Sequence, residues 1–144
     1  MNIDEKDRLI IKLLSDNARM PVSDLARQVG LSGPSTSERI RRLENNGIIS
    51  HFTVELDLAA LGYPLQAIVR IKPRPGNMHI VEEMILNEPG FLDCDKVTGD
   101  DCFVTRLALR SIADLDPILL PFHEKAETNT AIIKSSPLRA RVPV

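Results

Sequence analysis

Cysteine is scarce: only Cys94 and Cys102 occur among 144 residues. Two thiols build neither a disulfide framework nor a four-ligand zinc set. The histidines, His51, His79 and His123, are scattered, with no partner at metal-binding spacing. Long apolar runs are missing too. No stretch approaches the ~20 residues that a membrane span requires. The acidic opening Met1-Asn2-Ile3-Asp4-Glu5 does not follow the basic-then-apolar order of a secretory leader. A third absence is surplus positive charge. The net charge is −2, and acidic and basic residues nearly balance on either side of Gly62. Non-specific nucleic-acid binders carry a large basic excess, so any contact with nucleic acid must come from a local patch. At 43% apolar and 26% charged residues, the chain reads as a globular protein of one medium or two small domains. The expectation is a cytoplasmic protein with no metal, no cofactor and no membrane association.

What is present falls into two halves with different periods. Residues 4–47 are helical. Ile10, Leu13 and Leu14 lie at i, i+3, i+4 behind an acidic start that suits the helix dipole, with Leu9 paired to Leu13. Residues 17–20 make a connection, and Pro21 is placed to open a second helix. Val22, Leu25, Ala26 and Val29 form its stripe, and Gly30 stops it. Ser32 caps a third helix with Pro34 in its first turn, running to the stop at Asn46-Gly47. Three short helices with tight turns form a helix-turn-helix pattern. Residues 48–57 then alternate, with Phe52, Val54 and Leu56 expected inward, as a strand pair making a wing.

Beyond a hinge at 58–64, the types alternate. Leu65, Ala67, Val69 and Ile71 mark a strand, and residues 78–88 a helix with Val81, Met84 and Ile85 on one face. Residues 91–98 and 102–110 read as two strands joined by the turn Gly99-Asp100-Asp101. A weaker helix covers 114–122, with Leu115, Leu119 and Phe122 in line and Pro121 expected to kink or end it. Ala131-Ile132-Ile133 is the last strand, before a tail marked by Pro137 and Pro143. The order βαββαβ predicts a ferredoxin-like sandwich. The fold class is therefore α+β: a winged helix-turn-helix domain over residues 1–57, the hinge, and a ferredoxin-like domain over 65–144.

The stretch "GLSGPSTSERIRRLENNG" concentrates the candidate chemistry. Thr36, Ile40 and Leu43 make one narrow inner stripe closed by Gly47. The opposite arc holds Pro34, Ser35, Glu38, Arg41, Arg42 and Asn45, with Arg39 at its edge. Serines at a helix N-terminus approach phosphate, and arginines further along fork onto a guanine edge or a phosphate. A helix that enters the major groove needs that layout. A plain solvated face, with Arg41 and Arg42 paired to Glu38, Glu44 or Asp24, is the alternative when the helix is taken alone; two preceding helices and a following wing favour DNA.

"GLSGPSTSERIRRLENNGIISHF" resembles the signature of the leucine-responsive regulator/AsnC group, the feast-or-famine transcription factors, and "EPGFLDCDKVTGDDCFVTRL" is similar to the core of that family's ligand-sensing domain. The resemblance covers nearly the full chain in the family's domain order. It implies a domain that dimerises through its sheet, further assembly to tetramers or octamers, and an amino acid or related effector held between dimers near the Gly-Asp turn. Carried over to this sequence, Ser32, Ser35, Glu38, Arg39 and Arg42 would face DNA, and Thr98, Gly99, Asp100 and Asp101 would border the effector. Three features depart from the family pattern: Cys102 precedes Phe103, Thr36 stands where an apolar residue is common, and the final helix is short and interrupted by proline.

From local residues alone, Gly99-Asp100-Asp101 also reads as a tight hairpin turn. Asp100-Asp101 as an acid/base pair would need a pocket and a partner that no motif supplies, and no catalytic residue is assigned. Cys94 and Cys102 are expected as small buried hydrophobes. The reading is a sequence-specific DNA-binding regulator, not an enzyme. Its rival is a ferredoxin-like enzyme or stand-alone ligand sensor whose first helices mediate protein contacts.

Overall fold

The computed structural model describes residues 1–144, which divide into two compact units: Met1–Glu55 with Leu138–Val144, and Leu56–Pro137. The first unit contains helices α1 (Glu5–Asp16), α2 (Val22–Val29) and α3 (Gly33–Asn45). Asp4 caps α1 through a reciprocal pair of bonds: its carboxylate accepts the Asp7 amide at 2.8 Å, and the Asp7 carboxylate accepts the Asp4 amide at 3.2 Å. Gly30 ends α2 in the left-handed conformation (φ +70°), where a side chain would be strained. Lys6 reaches from α1 to donate to the Val29 carbonyl at 3.0 Å, placing a cation at the negative end of α2. Ile10, Leu14, Leu25, Val29 and Leu43 form the core, with Ile11, Leu13, Met20, Leu31, Ile40 and Ile49 packed around it. Each fully buried side chain of this core contributes roughly 1.5–3 kcal/mol by leaving water.

Two expectations change here. Residues 48–57 form no strand ladder, and Phe52, Val54 and Leu56 point to solvent at 48%, 74% and 57% exposure rather than inward. An alternating segment becomes a sheet only with a neighbouring strand, and none lies beside it in this chain. The tail also groups differently, because Leu138–Val144 lies with the helical unit. There Val142 is half-buried and lines an apolar cleft with Ile11, Leu14 and Ile49. The chain thus passes between the units twice, at 55–56 and again at 137–138.

The second unit is a four-stranded antiparallel sheet in the order β2-β3-β1-β4, with β1 (Leu65–Pro73), β2 (Phe91–Lys96), β3 (Phe103–Leu109) and β4 (Ala126–Ile132). The order and the βαββαβ succession are those of the ferredoxin-like fold. Residues Ala67, Val69, Ile71, Phe103, Leu107 and Leu109 face the helices α4 (Met78–Asn87) and α5 (Leu115–Leu119), which supply Val81, Ile85 and Leu119 to a single core. Phe122 meets Phe91 edge-to-face with centroids 5.9 Å apart. Thr105 is buried on that face, and its hydroxyl donates to the Val69 carbonyl at 2.8 Å.

Two details differ from expectation, and one, at Pro121, agrees with it. The last strand begins five residues earlier, at Ala126, because its inward positions include Thr128 and Thr130, which carry the alternation weakly. Around Pro121 the α-helix gives way to a 3-10 turn over Leu120–Phe122, as a residue without an amide hydrogen demands. Residues 58–62 form a hydrogen-bonded turn, with the Tyr63 amide donating to the Leu58 carbonyl at 2.8 Å and Asp57 accepting the Ala60 amide at 3.1 Å. The stretch read as a hinge is thus locally ordered and lies in the second unit.

Candidate nucleic-acid interface and effector turn

Helix α3 takes its orientation from two sides. Thr36 and Leu43 are fully buried and Ile40 partly, so the stripe read from the sequence seats the helix, while Gly47 sits exposed. The Thr36 hydroxyl donates to the Ser32 carbonyl at 2.9 Å, so this polar residue is satisfied inside. The Ser32 side-chain oxygen accepts the Ser35 amide at 3.2 Å, leaving its own O–H free to donate. Ser32, Pro34, Ser35, Glu38, Arg41, Arg42 and Asn45 are all exposed.

The three arginines of α3 occupy three different states. Arg42 forms no ion pair, and its guanidinium is open to solvent. Arg41 grips Glu38 one turn back at 2.7 Å, with both side chains more than half exposed. Such a surface pair contributes about 0–1 kcal/mol and yields readily to a stronger anion. Arg39 is committed. Its Nη1 donates to both Asp4 carboxylate oxygens at 2.8 and 2.9 Å and to Asp7 Oδ1 at 2.9 Å, with the arginine side chain 22% exposed and that of Asp7 2% exposed. The Asp7 amide and the Arg39 guanidinium hold the Asp4 carboxyl down at about 2, against an ordinary 3.8. Those carboxylates in turn raise Arg39 above its usual value. Arg39, expected on the DNA-facing arc, instead locks α3 to the N-terminus of α1. Spacing along the chain could not reveal this, because the partners lie 35 and 32 residues away.

In the second unit, Thr98, Gly99, Asp100 and Asp101 come together in the loop that joins β2 to β3. The loop is longer than a two-residue hairpin: the Val97 amide donates to the Cys102 carbonyl at 2.8 Å, and four residues lie between them. Gly99 and Cys102 both have positive φ, +111° and +61°. Thr98, Gly99 and Asp100 are exposed, and Asp101 sits 3.6 Å from the Arg70 guanidinium on β1. One basic and two acidic side chains therefore gather at the loop. Cys94 is exposed rather than buried, and Cys102 is intermediate. Local desolvation and the neighbouring Asp95 push the Cys94 thiol up, away from the reactive thiolate. No group of three or more His, Cys, Asp or Glu side chains is arranged to hold a metal ion. No helix is long and apolar enough to cross a membrane.

Comparison with known proteins agrees with both units. Residues 3–50 match the family described as winged helix-turn-helix DNA-binding, and residues 66–143 match the Lrp/AsnC ligand binding domain. The chain belongs to the Lrp/AsnC family. The HTH-type transcriptional regulator LrpC of Bacillus subtilis is 30% identical over 94% of this chain and 94% of its own. The regulator FL11 of Pyrococcus horikoshii is 30% identical over 81% of this chain and 78% of its own. The solved structure of B. subtilis LrpC superposes with a TM-score of 0.88 at 29% identity, covering 94% of this chain and 97% of that one. A Neisseria meningitidis transcriptional regulator, solved as an L-Met complex, shares the fold at TM-score 0.88 and 19% identity, covering 96% and 94%. As an Lrp/AsnC member the chain is a transcriptional regulator with a DNA-binding helix-turn-helix and a ligand-binding domain.

Proposed function

We propose that this regulator reads DNA by sequence as a dimer and responds to an amino acid or a closely related small molecule. The observation that carries the reading is the outer arc of α3, where an unpaired Arg42 and a weakly held Arg41 follow the exposed serines of the helix N-terminus. In this reading Ser32 and Ser35 donate to phosphate near the positive end of the helix. Arg42 reaches a base edge, and Arg41 leaves Glu38 for the duplex, freeing that carboxylate to accept from a cytosine amine. Arg39 acts as a positioning residue that sets the angle of α3 through Asp4 and Asp7.

Dimerisation is supported by what a single chain leaves open. Phe52, Val54 and Leu56 are exposed along a segment without a ladder, and Leu92 is exposed at the irregular start of β2. Two α3 helices would then meet successive major grooves about 34–36 Å apart, so the operator would be pseudo-palindromic. Thr98, Gly99, Asp100 and Asp101 would border the effector, their carboxylates and backbone amides receiving its ammonium and carboxylate. The effector regulates if it binds two assemblies, such as a dimer and a tetramer or octamer, unequally.

Fluorescence anisotropy with promoter duplexes at several salt concentrations tests the reading. Sequence-dependent binding that weakens steeply with salt is expected; absence of binding, or equal affinity for every duplex, overturns it. Mass analysis in solution with and without a panel of amino acids tests the assembly.

A further inference from the structure

A second concave site lies within the Leu56–Pro137 unit, away from the Gly99 loop. β2 begins at Phe91 and β3 ends at Leu109, so the groove beside Gly90 and Arg110 sits at the far end of the hairpin from residues 97–102. The strand length separates the two places by roughly 17 Å. The groove has a volume of about 450 Å³, within the range of small-molecule sites. Leu58, Leu61 and Ile118 provide its apolar wall.

Its charged groups are poised but not spent on one another. Arg110 stacks 4.8 Å above the Tyr63 ring and donates to the Tyr63 hydroxyl at 3.3 Å, yet it forms no ion pair with any carboxylate. Most of its five donors remain open. Glu88 and Asp114 line the same groove. Each is oriented by a backbone amide on one oxygen, Gly90 to Glu88 Oε1 and Ser111 to Asp114 Oδ2, both at 3.1 Å. Each keeps a second oxygen free. A cation and two anions that share an apolar groove without meeting complement a ligand carrying both signs.

We propose that this groove binds a small zwitterion with an apolar side chain, an α-amino acid of the leucine or phenylalanine class. Its carboxylate forks onto Arg110, its ammonium meets Asp114 and Glu88, and its side chain lies on Leu58, Leu61 and Ile118. The site is separate from the Gly99 loop and stands whether or not that loop holds an effector. Tyr63 is a positioning residue that presents the guanidinium.

Isothermal titration of the full chain with L-leucine and L-phenylalanine tests the site. Two analogues with one charge each, 4-methylpentanoate and isopentylamine, serve as controls. At least one amino acid should bind, and each analogue should bind tenfold or more weakly, roughly the value of one charge-assisted contact. Arg110→Gln should lose a similar factor. Leu61→Asp, at an exposed position (54%), puts a charge into the apolar wall that receives the ligand's side chain and should lose as much without disturbing the fold. Asp100→Ala, in the loop, should keep the component of binding that Arg110→Gln removes, whatever it does to an effector held at the loop. Melting followed by circular dichroism certifies the fold of each variant. The proposal is overturned if neither amino acid binds at millimolar concentration, if folded Arg110→Gln and Leu61→Asp bind like the parent, or if Asp100→Ala abolishes all binding.

Discussion

The outer arc of α3 and the loop at 97–102 are both exposed and both rich in charge, but they are built in opposite ways. The arc stands on a regular helix whose inner side is anchored by Thr36 and Leu43 and whose middle is tied to α1 by Arg39. Its exposed side chains need nothing from another chain to be correctly aimed. The loop reaches the core only through Cys102, has two residues at positive φ, and makes one ion pair, Asp101 with Arg70. A surface that must match a rigid duplex benefits from a fixed frame, because ordering it costs little on binding. A loop that receives a small molecule needs further walls, and on the reading above a second copy would supply them.

The comparison can be broken most forcefully at the frame. Leu43→Ala empties a fully buried position in the helical core and should cost about 2–5 kcal/mol. Thermal melting should show the helical unit unfolding earlier, and DNA affinity should fall with it. Next in size, Arg42→Ala should leave the melting temperature unchanged while weakening DNA binding by about 1–3 kcal/mol. Gel shifts over a salt series measure this, and unaltered affinity would remove Arg42 from the interface.

The clamp between α1 and α3 gives a smaller, pH-dependent effect. Asp4 holds its proton less tightly when folded, at about 2, than its ordinary 3.8. The stability it contributes is therefore complete above about pH 4 and fades as pH falls towards 2. Asp4→Asn should flatten that part of the acid unfolding profile; an unchanged profile would show that the clamp carries no linkage. The smallest expected change in stability is at the loop. Asp100→Ala should alter the melting temperature by no more than a surface substitution does, within about 0.5 kcal/mol, while reducing any effector-induced change in assembly, as measured by mass in solution.

Much of this was legible beforehand, and the failures have a common cause. The helices, the caps at Ser32 and Gly30, the inner stripe of α3 and the βαββαβ order were all readable, because each depends on neighbours within one or two turns or on strict alternation. Strand β4 was read only at its apolar end, since Thr128 and Thr130 serve as inward residues without announcing it. Cys94 was expected inside because small thiols usually are, but no strand lies beyond β2 to cover that sheet edge. The groove at Tyr63 and Arg110 left no mark, since its walls come from a turn, a strand end and a helix far apart in the chain.

By itself, the order of residues determined where the helices and strands form and which side of each turns inward, because those choices follow from local periodicity and from residues such as proline and glycine. Only the tertiary structure decided which of three similar arginines is free. Arg39, Arg41 and Arg42 differ little in local sequence; packing α1 across α3 gives the first of them two carboxylates, leaves the second to its own helix and the third to solvent. The tertiary structure also decided that the tail beyond Pro137 lies with the helical unit, where Val142 lines an apolar cleft with Ile11, Leu14 and Ile49, residues far from it in the chain.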